Sequence, residues 1–221
     1  MILRSGFLET LGRRAAFTRR HRGPFAAPFD GDVDDSRDAP AGYHAGDRVL
    51  FAWHQRDTAI GVASFDTAGR QVGEPQSFSG GGRWPRIAAH QRKSAVASAG
   101  TGRLTVRLHD GDRWQEPVTL AGPDGAIAFA PDGTLTAATS DGLWRFDGRV
   151  FSRVRNGSYA HPALAVAADG EPHVAYERGG EVWYGDERLG AGRRPSIVAA
   201  PDGIHVAWIS DDGIHLRQRT G

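Results

Sequence analysis

One sequence unit of 14 or 15 residues occurs five times in this chain of 221 residues and constrains its fold more than any other feature. The copies read, in chain order, PAGYHAGDRVLFAW, PRIAAHQRKSAVAS, GAIAFAPDGTLTAA, PALAVAADGEPHVAY and PSIVAAPDGIHVAW. They begin near residues 40, 85, 125, 162 and 195. Such spacing indicates a fold that stacks copies of one supersecondary unit.

The copies agree column by column. The penultimate residue is alanine in all five copies, namely Ala52, Ala97, Ala137, Ala175 and Ala207. Four copies carry a Gly-Asp or Asp-Gly pair in the middle, at 46–47, 132–133, 169–170 and 202–203. Such pairs between two apolar runs predict a β-hairpin. We therefore expect each alanine to lie in the second strand of its hairpin, where a small side chain lets neighbouring sheets approach.

Two further strands are predicted after each hairpin. The third strands are expected at 59–65, 104–109, 143–146, 182–184 and 214–219. A fourth strand carries proline in the first two copies, as in Glu74–Phe78 and Glu116–Leu120. Proline suits an outer edge strand, where no ladder hydrogen bond is lost. Four strands in about 40 residues predict an all-β, five-bladed β-propeller of four-stranded blades; a β-sandwich is the rival fold.

The two ends of the chain suggest how the ring closes. The last copy ends at Gly221, directly after its third strand, and 39 residues precede the first copy. The segment Arg22–Phe29 contains two prolines, as the predicted fourth strands contain one. We expect it to complete the last blade and to remove an exposed sheet edge. The predicted organisation is an N-terminal arm at 1–19 and a single propeller domain at 20–221.

The composition limits the classes of partner that this chain is expected to bind. The net charge is +1, and no basic face interleaved with aromatic residues occurs in the blades, so no nucleic-acid partner is expected. No apolar run approaches the roughly 18 residues of a membrane helix, so no membrane partner is expected.

Cysteine is absent, which excludes thiolate catalysis. The N-terminus lacks the apolar core of a signal peptide, which predicts a cytoplasmic location, or a secreted one if a signal was removed. The oligomeric state stays open.

The pattern P-x-I-A-x-x-x-D-G-x-H-V-A-W resembles propellers of the sialidase-like, BNR-repeat type, most closely at 161–176 and 194–208. The Asp box of that group, S-x-D-x-G-x-x-W, is absent, and 107–114 is its nearest approach. With five predicted blades, the chain resembles tachylectin-type lectins and arabinanase-type glycosidases. These resemblances imply a scaffold and not an activity, because one fold hosts many functions.

Ligands of a propeller usually meet the mouth of the central axis. We define the mouth position as the residue at which the first strand of each blade begins; these residues are Asp38, Trp84, Asp124, His161 and Arg194. They differ between blades, which favours one central site over five equivalent ones. The predicted site consists of Trp84, Arg86 and Arg194 as substrate-binding residues and His161 as the catalytic acid–base. The alternative is that Trp84 fills a blade interface and the arginines pair with an acidic loop.

Other candidate residues carry weaker signals. Tyr43, His44 and His90 are larger than their counterparts; they suit a channel filler, and a histidine among them also suits a general base or a metal ligand. His173, His205 and His215 are interpreted as structural. No cofactor is predicted. The aspartates at 30, 32, 34 and 38 have the spacing of some calcium loops but lack the usual glycine and glutamate, so calcium is a secondary hypothesis.

Two function classes follow. The first is a propeller that binds a glycan or a small polar or anionic molecule in one axial pocket, with hydrolase, lyase or cyclase chemistry as an open question. The alternative is a lectin-like carbohydrate-binding module or a protein-interaction scaffold without catalysis. A glycosidase needs two carboxylates about 5–9 Å apart. The mouth offers too many acidic residues for the sequence to select a pair.

Overall fold

The computed structural model describes residues 41–45, 47–55, 59–80 and 82–219 and places 19 strands in them. The first sheet contains β1 (Ala41–Ala45), β2 (Arg48–His54), β3 (Ile60–Asp66) and β4 (Gln71–Phe78). The second contains β5 (Arg83–His90), β6 (Lys93–Ala99), β7 (Arg103–His109) and β8 (Val118–Ala121). The third contains β9 (Gly125–Phe129), β10 (Leu135–Thr139), β11 (Gly142–Phe146) and β12 (Phe151–Asn156).

The fourth sheet contains β13 (Ala160–Val166), β14 (Pro172–Arg178), β15 (Glu181–Tyr184) and β16 (Glu187–Ala191). The last contains β17 (Arg193–Ala200), β18 (Gly203–Ser210) and β19 (Gly213–Arg219). Every pairing within a sheet is antiparallel and follows chain order. The described residues are all-β, contain no helix capable of spanning a membrane, and form five sheets that fit a five-bladed propeller.

The first strand of each sheet lies innermost. β1 contacts β5, β5 contacts β9, β9 contacts β13, and β13 contacts β17. Because strands one and three run in one direction and strands two and four in the other, the mouth positions and the loops after the second strands meet at one end of the sheets. The structure thus brings together residues that are far apart in the sequence.

Apolar side chains fill the space between consecutive sheets. Leu50 and Val62 of the first sheet pack with Ile87 of the second, and Leu104 of the second packs with Leu135 of the third. Similar clusters join the third sheet to the fourth and the fourth to the last. Because each sheet is thin and apolar on both faces, its burial depends on having a neighbour on each side.

The alanines predicted at one position of every second strand, here called the alanine column, are present with one correction. Ala52, Ala97 and Ala175 each lie opposite the second residue of their repeat unit. In the third sheet the residue opposite that second position is Ala138 and not the predicted Ala137. The cause is a five-residue turn after Phe129, closed by a bond from the Gly133 amide to the Ala130 carbonyl, which shifts the second strand by one residue. The corrected column is fully buried in the first four sheets.

Replacing Ala175 by leucine is expected to lower the free energy of unfolding by about 1–3 kcal/mol, because overpacking separates the fourth and last sheets. Ala207→Leu is expected to cost less, because Ala207 is only partly buried. Chemical denaturation of both variants measures the difference. Equal stability of Ala175→Leu and the parent protein would contradict tight packing at the column.

The last sheet differs from the other four. It has three strands in the described residues, and β19 is its outer strand. The predicted closing strand Arg22–Phe29 lies outside the described residues, as do the arm at 1–19 and the acidic segment at 30–38. The outer-strand proline of the first sheet is confirmed, because Pro75 lies exposed in β4, whereas Pro117 lies directly before β8 and not within it.

Candidate functional site

The mouth positions of three sheets share one unusual backbone conformation. Trp84, His161 and Arg194 have φ angles of 53°, 47° and 56°, in the left-handed region that non-glycine residues seldom occupy. At each of them the strand bulges, so that two residues face one residue of the second strand. Because the three backbones match, their side chains leave the sheets in equivalent directions.

Each of these residues precedes a proline, namely Pro85, Pro162 and Pro195. The proline ring disfavours helical backbone angles in the residue before it, and left-handed geometry costs an L-residue roughly 1–2 kcal/mol. Strain of this kind persists where the surrounding structure enforces it, and it concentrates at functional sites. Its occurrence at the same position of three sheets marks the mouth as the place to look for function.

Arg194 offers a direct test of this strain, since its side chain is exposed. Arg194→Gly is expected to be more stable than Arg194→Ala by about 1 kcal/mol, because glycine adopts positive φ without a Cβ clash. Thermal and urea unfolding of the two variants gives the difference. An alanine variant as stable as the glycine variant would show that the backbone is relaxed.

His161 and Asp124 form the central contact of the site. The His161 Nδ1 atom lies 2.8 Å from Asp124 Oδ2. The side chain of Asp124 is 10% exposed and that of His161 is 40% exposed. The other carboxylate oxygen of Asp124 accepts the Gly125 amide at 2.7 Å. A carboxylate fixed in this way orients the imidazole and selects the tautomer that carries hydrogen on Nδ1.

Trp84 lies against the same imidazole. The ring centroids of Trp84 and His161 are 6.5 Å apart, with an edge-to-face angle of 69°. Trp84 belongs to the second sheet, Asp124 to the third and His161 to the fourth, so three neighbouring sheets contribute one side chain each. The predicted proximity of Trp84 and His161 is therefore present in the structure.

The two predicted arginines are placed differently. Arg194 is held through its backbone, because its amide donates to Glu177 Oε1 at 2.6 Å. Arg86 is half-buried, and its guanidinium donates to the Pro85 carbonyl at 3.3 Å. Among the described residues the structure gives neither guanidinium a hydrogen bond to Trp84, Asp124 or His161. The role of both arginines in a site stays a prediction.

The remaining histidines lie elsewhere. His173 contacts the Tyr184 hydroxyl at 2.6 Å and stacks on that ring, while His205 contacts Asp202 at 2.9 Å. His90 packs against Phe129 next to the hairpin turn, at the opposite end from the mouth. Tyr43 is 39% exposed, and the side chain of His44 lies outside the described part of the chain.

A second polar cluster surrounds His215 in the last sheet, where the sequence predicted only a structural histidine. His215 Nε2 lies 2.7 Å from Ser210 Oγ and 2.8 Å from Asp212 Oδ1, and its ring stacks on Trp208. Hydrogen bonds from Ser210 and His215 lower the pKa of Asp212 to about 2. A cleft of about 460 Å³ adjoins the cluster.

The two histidine clusters differ in which nitrogen is engaged. His215 uses Nε2 for both of its contacts, so the same atom is not free to meet a ligand. His161 uses Nδ1, and among the described residues its Nε2 has no hydrogen bond. The mouth cluster is therefore the better candidate for acid–base chemistry.

Three carboxylates of the mouth are engaged in positioning other groups. Asp124 binds His161, Glu177 binds the Arg194 amide, and Asp141 pairs with Arg153. Within the described ranges, no group of three histidine, aspartate or glutamate side chains is arranged to hold a metal ion. The proposed calcium loop at 30–38 lies outside those ranges.

Sequence reasoning selected His161 and Trp84 but did not assign Asp124 and Glu177 their parts. The repeat frame held the necessary signal for Asp124, because it occupies the mouth position of the sheet next to that of His161. Glu177 gave no such signal, since its partner is a backbone amide whose direction depends on the left-handed geometry of Arg194.

No protein-family model and no curated protein matches this chain. Solved structures do: TolB from Acinetobacter baumannii matches with a TM-score of 0.52 and 16% identity over 83% of this chain and 54% of its own. The Dos1 propeller matches with a TM-score of 0.52 and 12% identity, over 79% of this chain and 52% of its own. AofleA from Arthrobotrys oligospora matches with a TM-score of 0.54 and 14% identity, over 82% of this chain and 71% of its own. The chain spans about half the length of the first two.

At these identities the likeness shows the fold alone. The neighbours and the four-stranded sheets support a β-propeller, but they do not support the sialidase-like type in particular. The β-sandwich alternative is wrong. Function has to be argued from the site.

Proposed function

We propose that this propeller binds one small polar or anionic molecule, or one sugar unit of a glycan, at the mouth of its axis, and that His161 acts there as a general base. The observation that carries the proposal is the 2.8 Å contact between His161 Nδ1 and the largely buried carboxylate of Asp124. A glycan or metabolite that presents a hydroxyl group to His161 Nε2 fits this arrangement.

The chemistry follows from the tautomer. With hydrogen on Nδ1 donated to Asp124, Nε2 carries a lone pair and accepts a proton from a ligand hydroxyl or from water. The imidazolium that forms is stabilised by the adjacent carboxylate of Asp124. Hydrolase, lyase and cyclase reactions all include such a proton transfer, and positioned bases contribute about 10²–10⁴-fold to rate.

The neighbouring residues support binding. The edge-to-face geometry leaves Trp84 beside the imidazole as an apolar surface on which a sugar or planar ligand can pack. Arg194 holds the mouth position of the last sheet and Arg86 follows Trp84 by two residues, and both supply positive charge for an anionic ligand. A mechanism based on two free carboxylates is less well supported, because Asp124 and Glu177 already hold other groups.

Binding without turnover is the second candidate function. It is favoured by the mouth residues themselves, since Trp84 can hold a ligand by packing whether or not His161 transfers a proton. The mouth residues differ from sheet to sheet, so a lectin with one equivalent site in every blade is not what we propose.

A structure determined after a screen of metabolites and glycans tests the proposal. Ligands are selected by the rise they produce in melting temperature, with Trp84→Ala as the comparison protein. Density on the axis beside Trp84 and His161 is expected. Density repeated at equivalent points of several blades would instead indicate a lectin, and density far from the mouth would contradict the site.

We also propose that Arg22–Phe29 supplies the fourth strand of the last sheet. The support is that β19 is its outer strand in the described residues, whereas each other sheet has a fourth strand outside its third. A paired β19 would remove an edge that invites association with other chains.

A further inference from the structure

The interfaces between consecutive sheets can be compared position by position through the strand register. In the second sheet, Arg107 lies opposite Val96, the residue before the alanine of the column. In the last sheet, Arg217 lies opposite Val206, which again precedes the alanine of the column. Arg107 and Arg217 therefore hold equivalent positions on the third strands of their sheets, and each faces the sheet that precedes its own.

The space beside Arg107 is filled by an aromatic ring of the preceding sheet. Phe78 belongs to β4, the outer strand of the first sheet, and the guanidinium carbon of Arg107 lies 4.8 Å from its ring centroid. Phe78 also packs edge-to-face on Trp114, with centroids 5.0 Å apart. The arginine of this interface is thus held in a cation–π contact.

The interface between the fourth and last sheets lacks that ring. Gly190 lies opposite Val182 in β15, and Phe78 lies opposite Ile60 in β3. Both of these partners pair with the residue two positions after the column alanine, so Gly190 corresponds to Phe78. A Cβ atom at Gly190 would lie 3.5 Å from the Trp208 indole, so a side chain there would enter the cleft of about 460 Å³. The cleft is the space that an aromatic residue fills at the equivalent interface.

The floor of this cleft is fixed by its own contacts. Trp208 is 4% exposed, and its indole nitrogen donates to the Ala191 carbonyl at 3.1 Å. The His215 ring stacks on the indole, with centroids 5.2 Å apart and an angle of 15° between the planes. Leu189 of β16 adds an apolar wall. A pre-formed cleft of this size with apolar walls and a few polar groups is typical of small-molecule sites.

Two charged side chains of the lining are open to a ligand. In the described part of the chain, Arg217 has no hydrogen bond, ion pair or ring contact. Asp212 uses only its Oδ1 atom for the contacts with Ser210 and His215. Those hydrogen bonds lower the pKa of Asp212 to about 2, so the carboxylate is ionised at neutral pH and its Oδ2 atom can accept from a cation.

We propose that this cleft binds a small aromatic amine. The ring of the amine takes, on the Arg217 guanidinium, the place that Phe78 takes on Arg107, and its ammonium group pairs with Asp212. His215 and Arg217 are alternate residues of β19 and lie roughly 6–7 Å apart. A two-carbon spacer between ring and ammonium covers a comparable distance. The site shares no residue with the mouth cluster of His161.

Phenethylamine, titrated into the full chain and followed by amide chemical shifts in NMR, tests the proposal. The comparison ligand is 2-cyclohexylethylamine, which has the same ammonium group and spacer but no aromatic ring. The parent protein is expected to bind phenethylamine about twofold to fivefold more tightly, the effect of a cation–π contact at an exposed site. The shifts should centre on Gly190 and Arg217.

Variants separate the two halves of the contact. Arg217→Ala should abolish the preference for the aromatic ligand, and Asp212→Asn should weaken the binding of both amines by up to about fivefold. The matched control is Arg107→Ala, which removes the equivalent arginine of the second sheet, where Phe78 already holds the ring position. It should retain both the binding and the preference.

Three results would overturn the proposal. The first is equal affinity of the parent protein for the two amines, or no binding of either at millimolar concentrations. The second is an equal loss of preference in Arg217→Ala and Arg107→Ala. The third is loss of binding in Trp84→Ala but not in Arg217→Ala, which would place the amine at the mouth.

Discussion

Removal of residues 1–35 is expected to abolish cooperative unfolding of the propeller or to make the protein aggregate. The deletion takes away the proposed fourth strand of the last sheet and the apolar residues Phe25 and Phe29. It leaves the seven-residue strand β19, which carries the exposed side chains of Ile214 and Leu216, as an open edge. Unpaired edges with apolar side chains promote association. Light scattering and a thermal unfolding curve measure the outcome.

A shorter deletion provides the control. Removal of residues 1–19 is expected to leave the melting temperature unchanged, because the predicted arm lies outside the repeat frame. Unaltered melting of the longer deletion would refute ring closure by the N-terminal segment. Equal loss in both deletions would show that the arm belongs to the folded domain.

The repeat in the sequence predicted most of the fold. Every hairpin coincides with a predicted unit and extends at most two residues beyond it at either end, and the third strands agree with the prediction to within one residue at each end. The signal was strong because each copy repeats the same apolar and turn positions, so errors in one copy are corrected by the others. The exception was the third copy, where a longer turn moved Ala138 into the place assigned to Ala137.

The site was predictable in part. Equivalent repeat positions correctly brought Trp84 near His161, because equivalent residues in a ring of sheets share one end. The left-handed angles were not predictable, since a residue before proline normally avoids that geometry. Contacts such as that of Glu177 with the Arg194 amide depend on this backbone detail, which residue types do not encode locally.

The His161–Asp124 pair leads to the largest expected functional effect. With a ligand from the screen, His161→Ala is expected to lower turnover by about 10²–10⁴-fold, because the proton acceptor is lost. The dissociation constant of the ligand from this variant should change much less, since packing on Trp84 remains. Asp124→Asn is expected to reduce turnover without weakening binding, because the amide no longer enforces the tautomer that frees Nε2. Product formation followed by NMR, beside calorimetric binding, separates the two quantities.

Trp84→Ala should give the opposite division of effects. Loss of the indole is expected to weaken binding by about twofold to twelvefold, in line with roughly 0.5–1.5 kcal/mol for an aromatic contact, and to affect turnover at saturation less. His205→Ala is the matched control, since it removes a histidine paired with an aspartate at 2.9 Å at the opposite end of the last sheet. If His161→Ala and His205→Ala lower turnover equally, the general-base assignment is wrong. If no variant shows turnover while Trp84→Ala binds weakly, the propeller binds its ligand without transforming it.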